Sequence, residues 1–532
     1  MRRGSLYPAQ AFETGGAAAL QPPVFLASTQ ALLCEGGDQR IVRNQLTGLN
    51  AYGCAPRPDP DLIAFGSSTA STISGHGLDA AESLRQRLLR AVETASPAAV
   101  YEREAARLRA ELVRHLGLAG VSGLETVLAA SGTDLHMLIA QLIAGGAERP
   151  TLVIMGEPSD TGSGVPAALA GRYYGACAPF AATTTRGALI AGSGVDLAHV
   201  AARQADGRPR DTAVVDAEVE ALASQAIGEG RRVLLVITDI SKTGLISPSP
   251  ACALSLGRRF PGSLDVLVDA CQLRLSAGTL TAYAERGWMI AATGSKFLSG
   301  PAFSGALFVP RSLADRLRNR IVSPKLAAFS ARGDWPEGWA IRGRLDPREN
   351  FGLLLRWEAA LEELRRLRTI PESEIGRFLE AFAEAGGAAI AREPSLEALP
   401  GRPLDRGLGE AGGWDQAHTI LPFVMRTGAA DARLLTGEET ARVYELMRRD
   451  LAGPGDTAQP PAAGLRIELG QPVACGERDG APVWALRLCA SARLIVEACG
   501  DAQRRDDILR DVDMALAKAA WLARDISAGR AA

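Results

Sequence analysis

Two residues stand out by type and setting: Asp269 in LDVLVDACQ and Lys296 in TGSKFLSGP, 27 positions apart. Only four of the chain's 58 basic residues are lysines (Lys242, Lys296, Lys325 and Lys518), which leaves 54 arginines. A lysine amine can lose its proton and attack a carbonyl to form a Schiff base, whereas a guanidinium stays protonated at any working pH. A sequence that writes arginine almost everywhere, yet keeps lysine between small polar residues and a Gly-Pro turn, points to amine chemistry at 296. The acid at 269 offers a carboxylate able to hold a proton on a nearby nitrogen.

The elements around the pair place both side chains where ligands bind. The apolar runs 264–268 and 288–292 read as buried strands, so Asp269 and Lys296 fall just past strand ends, the position at which open α/β sheets hold ligands. Pyridoxal phosphate (PLP) chemistry requires such an amine together with a carboxylate that keeps the ring nitrogen protonated. A third piece lies upstream. A strand over 125–130 and a helix over 134–143 flank Ser131, Gly132 and Thr133, and unpaired N–H groups at a helix start with adjacent hydroxyls make a phosphate site. The same turn also reads as a simple N-cap. His136, three residues into that helix, reads as a packed or partly exposed side chain rather than a catalyst.

VDACQ and TGSKFLSGPAFSGAL resemble the D-x-A-Q and S-x-H-K-x-x-G-P-x-G-x-G blocks of class V aminotransferase-like, fold-type I PLP enzymes, a group that includes cysteine desulfurases and kynureninases. The resemblance implies that Lys296 forms the internal aldimine, that Asp269 pairs with the pyridinium nitrogen and that Gln272 bonds the ring hydroxyl. Ser131, Gly132 and Thr133 match the family's small-G-T turn. Ser295 stands where the family has histidine, and with Thr293 it offers a hydroxyl to the phosphate. Ser241, in DISKTGLISP, corresponds to the family's asparagine. Lys242 beside it reads either as a solvated loop lysine or as a residue near the site.

After the strand over 151–155 the family carries a ring that stacks on the coenzyme, but Glu157, Pro158, Ser159 and Asp160 offer none, so Glu157 and Asp160 become candidate substrate contacts. Arg487 in WALRLCASARL fits the family's late arginine for the substrate carboxylate, with Arg493 second. Cys475 lies where desulfurases keep a nucleophilic thiol, yet ACGERDG does not match their loop and reads as structural. Taken together, the resemblance implies a PLP-dependent enzyme acting on a small amino acid. A lyase of desulfurase or β-lyase type comes first, with an aminotransferase or a degenerate non-catalytic homologue as the alternatives. The family also implies a homodimer in which the loop over 325–349, with Trp335, Trp339, Arg342 and Arg344, reaches the partner's site.

Composition is compatible with this reading. With 532 residues, 47% apolar, 22% charged and a net charge of −2, the chain reads as a soluble globular protein with mixed charges and no basic block that would suggest nucleic acid. Its longest apolar stretches, such as 137–147, are interrupted by Gln141 and glycines and fall short of the roughly 18 residues a bilayer span needs. The start of the chain has prolines at 8, 22 and 23 and no signal-like apolar core, so a cytoplasmic protein is expected. Eight scattered cysteines show neither CxxC nor Cys/His metal spacing, and no P-loop is present.

The expected fold is α/β: a doubly wound, mainly parallel sheet over 96–330, preceded by an arm over 1–95 that contributes to the site. A linker helix and a smaller α+β domain complete the chain over 331–532. FGSSTASTIS, residues 65–74, reads first as a flexible surface loop and alternatively as part of the pocket lining. The periodicity over 98–118 predicts a helix burying Val100, Ala105, Leu108, Leu112 and Leu116. Helices are also expected over 214–227, 350–367 (amphipathic), 373–385, 437–451 and 504–523. Further strands are expected over 232–238, 303–310, 419–425, 465–469 and 483–489, and the rest of 180–230 reads as an irregular insert.

Overall fold

The computed structural model describes residues 26–144, 149–190, 195–320, 322–407, 413–428, 433–453 and 459–527. The expectation of a signal-free start concerns residues that lie outside this set, as does the end of the apolar stretch 137–147. No helix among the described residues is long and apolar enough to cross a membrane.

Thirteen strands are present among the described residues: β1 (Leu62–Phe65), β2 (Glu125–Ala129), β3 (Thr151–Gly156), β4 (Asp196–Val200), β5 (Arg232–Asp239), β6 (Ile246–Ser247), β7 (Leu264–Ala270), β8 (Met289–Thr293), β9 (Gly305–Val309), β10 (Leu396–Ala398), β11 (Ile420–Met425), β12 (Arg466–Arg478) and β13 (Ala481–Cys489). Eight form one sheet in the order β2-β9-β8-β7-β5-β3-β4, with β6 folded back on β5. The pairs β3·β4, β3·β5, β5·β7 and β7·β8 are parallel, and β9 runs antiparallel to both β2 and β8.

Successive side chains on a strand point to opposite faces. On β5, Val233, Leu235 and Ile237 enter one apolar cluster, while Leu234 and Val236 enter another. The first cluster also takes residues of the helices Pro97–His115, Thr212–Gly228 and Phe351–Leu367, the second those of Gly132–Ala144 and Arg311–Leu317. Both faces of the sheet are therefore covered, which explains why its inner strands read as unbroken apolar runs.

The second sheet, β1-β12-β13-β11-β10, joins the two ends of the chain. β1 lies parallel to β12, with Leu62 opposite Arg466. Four features depart from the sequence reading. The segment 65–74 is buried rather than exposed, apart from the half-buried Thr69. Its hydroxyls are satisfied internally, for example Ser67 Oγ donating to Ala490 O at 2.8 Å. The helix Phe351–Leu367 is buried nearly all round, charges included, because Glu358 pairs with Arg107 and Arg365, and the Glu363 carboxylate accepts from Ser74. Trp335 and Trp339 pack into the core instead of projecting outward, the latter donating to Glu125. The region read as irregular contains β4, an edge strand on which only Val200 is buried and which therefore leaves little pattern to read.

Candidate active site

The carboxyl ends of β2, β3, β5, β7 and β8 converge on a cavity of about 250 Å³. Eight of the residues singled out from sequence line it together: Ser131, Gly132, Thr133, Asp269, Gln272, Thr293, Ser295 and Lys296. Ser241 and Arg487 do not.

Asp269 is the only carboxylate lining this cavity among the described residues. It is the penultimate residue of β7 rather than a residue past its end. One carboxylate oxygen accepts from the Cys271 backbone N–H at 3.1 Å, and the other lies 3.3 Å from His136 Nε2. Burial would raise its pKa, but the His136 imidazole, the Cys271 contact and the Lys296 charge overcome this and hold the carboxyl far below its usual range. His136 responds in kind. Burial pushes its pKa down, Asp269 pushes it up, and the net direction is up. Its Nδ1 sits 2.7 Å from Gly132 O, which fixes the ring's orientation. His136 is thus the carboxylate's support and not merely a packed side chain.

The start of the helix Gly132–Ala144 forms one corner of the cavity. A side chain at Gly132 would put Cβ 2.9 Å from Cys271 Sγ and 3.2 Å from Thr293 Cγ2, so glycine keeps the backbone against the neighbouring strand ends. Thr133 and Ser295 bring hydroxyls to this corner. Ser131 and Thr293 also line it, but their hydroxyls are committed. Ser131 Oγ donates to Asp134 at 2.6 Å and caps the helix, and Thr293 Oγ1 donates to Cys271 O at 2.6 Å. Gln272 faces the cavity while its Nε2 donates to Ser68 O at 3.0 Å and its Oε1 accepts from Arg274 at 3.3 Å.

Lys296 follows β8 in a tight turn between Gly294 and Gly300 that packs on the helix Phe351–Leu367. A Cβ on Gly294 would come within 2.6 Å of Ala360 Cβ and 2.9 Å of Trp357. Gly294→Ala is accordingly expected to lower stability by about 1–3 kcal/mol through overpacking, read as a shift in the urea midpoint. An unchanged midpoint would show that the Lys296 turn is not clamped by this helix.

The arm lines the cavity with Ser68, Thr69 and Ala70, as the alternative reading of 65–74 expected, and with Arg40 and Tyr52, which sequence reasoning missed. Arg40 makes a two-point pair with Asp38 (2.6–3.0 Å) and lies over the rings of Tyr174 and Phe303 at 5.5 and 5.0 Å. No local pattern marks it among the arginines.

The remaining candidates fall behind the wall. Ser241 Oγ accepts from the Leu245 backbone N–H at 3.2 Å and holds its own turn, and Lys242 is the residue of that turn that faces the cavity. Arg487 is buried and donates to Thr69 Oγ1 at 3.0 Å, Gln471 O at 2.5 Å and Lys242 O at 3.4 Å, tying three lining segments together. Arg493 donates to Thr72 O and Ser299 O. Glu157, Asp160 and Cys475 line a separate cavity of about 140 Å³. Burial raises the Cys475 thiol to about 11 and the Asp160 carboxyl to about 6.

No protein-family model and no curated protein sequence matches the chain. Solved structures do match in fold. The cystine C–S lyase C-DES, in complex with its product cysteine persulfide, superposes with a TM-score of 0.51 at 15% identity over 85% of this chain and 98% of that one. A NifS-like protein gives 0.52 at 11% identity over 85% and 98%. A cysteine desulfurase from Thermococcus onnurineus NA1 gives 0.51 at 12% over 85% and 94%. The chain therefore has the α/β fold of the fold-type I PLP-dependent enzymes, a large, mostly parallel sheet accompanied by a second, smaller one.

Proposed function

We propose that the protein is a PLP-dependent enzyme acting on an amino acid, with lyase chemistry of the C–S or β-elimination type. The observation that carries this reading is the placement of Lys296 and an ionised, histidine-supported Asp269 in one cavity with a helix N-terminus at its corner. Thr133, Ser295 and the first N–H groups of the helix Gly132–Ala144 would hold the phosphate, and Asp269 the ring nitrogen. Bound there, PLP would supply an electron sink for the substrate's α-carbon. Lys296 Nζ would bind the coenzyme covalently and, once released, take the proton from the substrate Cα and return it where needed.

Structures of the same fold include a cystine C–S lyase and a cysteine desulfurase, which favours a sulfur-containing substrate. Cys475 is outside the cavity with its thiol held protonated, so the leaving group departs into the cavity rather than onto that residue. We further assign the chain to a homodimer, on the strength of the family resemblance and of the apolar Val42 and Leu46, 59% and 97% exposed, beside Arg40. We assign it to the cytoplasm, where its eight unpaired cysteines stay reduced.

The test is borohydride trapping. Purified protein supplied with PLP is expected to show an absorbance band near the visible edge. Reduction should leave a pyridoxyl mass on the Lys296 peptide, and Lys296→Ala should lose both. Cystine or cysteine should then yield a 2-oxo acid and ammonia. Release of an aminated coenzyme without ammonia would indicate amino transfer instead, and no Lys296-dependent band would end the PLP reading.

A further inference from the structure

The cavity holds a second amine that the chemistry above does not use. Lys242 leaves the end of β5 in the turn to β6, its backbone N–H donates to Asp160 O at 3.0 Å, and its side chain lines the cavity. The charged and titratable groups facing it are Arg487 from β13, Lys296 from the turn after β8, Asp160 from the loop after β3 and Cys475 from β12. Neither acid among them forms an ion pair with it.

The other cations around the cavity are held elsewhere. Arg40 is neutralised by Asp38, and the two terminal nitrogens of Arg487 donate to Thr69, Gln471 and the Lys242 carbonyl, while its Nε, behind the wall, has no partner among the described residues. Lys296 is reserved for the coenzyme. Burial, then the like charges of Arg487 and Lys296, push the Lys242 ammonium down to about 8, so an anion arriving there relieves repulsion instead of displacing an existing partner. Two hydroxyls lining the same cavity, Thr161 Oγ1 and Thr238 Oγ1, are buried without a hydrogen-bond partner among the described residues. The cavity wall thus carries Lys242, which has no ion-pair partner among the described residues, together with two unsatisfied hydroxyls.

We propose that Lys242 Nζ receives the carboxylate of the amino-acid substrate, while Arg487, the residue expected from sequence to do so, acts as the brace that fixes the Lys242 turn. This rests on the reading of the cavity as an amino-acid site. An ammonium is a compact point donor, so the contact is a single charge-assisted hydrogen bond and not the planar fork an arginine would give.

The chain's four lysines make the test direct. Acylation at pH 8, read by peptide mass, reports each lysine separately, with the exposed Lys325 as reference. Excess propionate is expected to slow acylation of Lys242 by about tenfold, with propionamide without effect and Lys325 unchanged. Calorimetric titration of propionate gives the independent measure, with Lys242→Met expected to raise Kd by about tenfold. Equal rates in propionate and propionamide, together with an unchanged Kd in the variant, overturn the proposal. In the same spectra the borohydride-fixed pyridoxyl mass on Lys296 reports on the coenzyme reading, so the two ideas fail separately. Protection at 242 without mass at 296 leaves the anion site standing and removes the PLP assignment.

Discussion

Asp269→Asn is expected to lower turnover by about 10³-fold, a loss at the upper end of what removing one preorganised electrostatic group costs. The substitution keeps the shape and removes the charge. That charge is maintained against burial by the His136 imidazole at 3.3 Å and the Cys271 N–H at 3.1 Å, an arrangement that makes little sense for a carboxylate serving only as a turn former. Among the described residues it is also the single carboxylate lining a cavity that carries Lys242, Lys296 and Arg40, so no neighbour could take over the proposed role of favouring a proton on the coenzyme's ring nitrogen. Covalent attachment at Lys296 should survive, because the lysine turn is held by Gly294, Gly300 and Ala360 and not by Asp269. A variant that keeps turnover within tenfold of wild type would show that the carboxylate does not act on the reacting system.

The same pair sets a pH signature in the coenzyme-free protein. His136 has its folded pKa raised, so its contribution to stability is fully present below its unfolded value of about 6.5 and is lost as pH rises through the folded value. Asp269 has its folded pKa lowered, so its contribution is present above about 3.9 and fades only as pH falls through the lower folded value. Melting temperature should therefore decline as pH rises above about 6.5, by an amount that Asp269→Asn abolishes. With only five histidines in the chain, His136 can also be followed by NMR, and its pKa should fall in the variant. An identical decline with rising pH in both proteins would mean that other groups cause it.

These side chains differ in how visible they were before folding. Lys296 was legible because lysine is scarce in this chain, and Asp269 because an unbroken apolar run ends in an acid. The turn at Gly132 and Thr133 was legible because small polar residues separate a strand from a helix. His136 was not. The helix Gly132–Ala144 is buried almost all round, so periodicity gives its imidazole no direction, although a histidine one turn past a phosphate-type turn was the available signal. Arg40 and Tyr52 reach the cavity by packing on Phe303, about 250 positions along the chain, a contact that no local pattern encodes. Arg487 was legible in part: its place in the order of elements could be read, but not that its guanidinium would sit behind the cavity wall, bonded to Thr69 Oγ1 and Gln471 O.

The largest stability effect is expected where the C-terminal half of the chain is pinned to β5. Arg406 donates to both carboxylate oxygens of Asp239 at 2.8 Å and to Asp415 O at 2.7 Å, and Tyr283 donates to the same carboxylate at 2.6 Å. Side-chain exposures of 6% and 0% leave neither charge access to water. Arg406→Met should cost about 3–5 kcal/mol, because it strands a buried carboxylate with one hydroxyl as its remaining side-chain donor. The double variant Arg406→Met with Asp239→Asn should recover a large part of that loss, since no charge is then left unpaired, and the difference is the coupling a double-mutant cycle measures by urea denaturation. The effect reaches the site by alternation along the strand. Asp239 lies between Thr238 and Ile240, which line the cavity, so its anchoring fixes the strand end from which Lys242 departs. A cost below about 1 kcal/mol, the range of exposed pairs, would mean that water reaches Asp239 and that the strand end is held by the sheet alone.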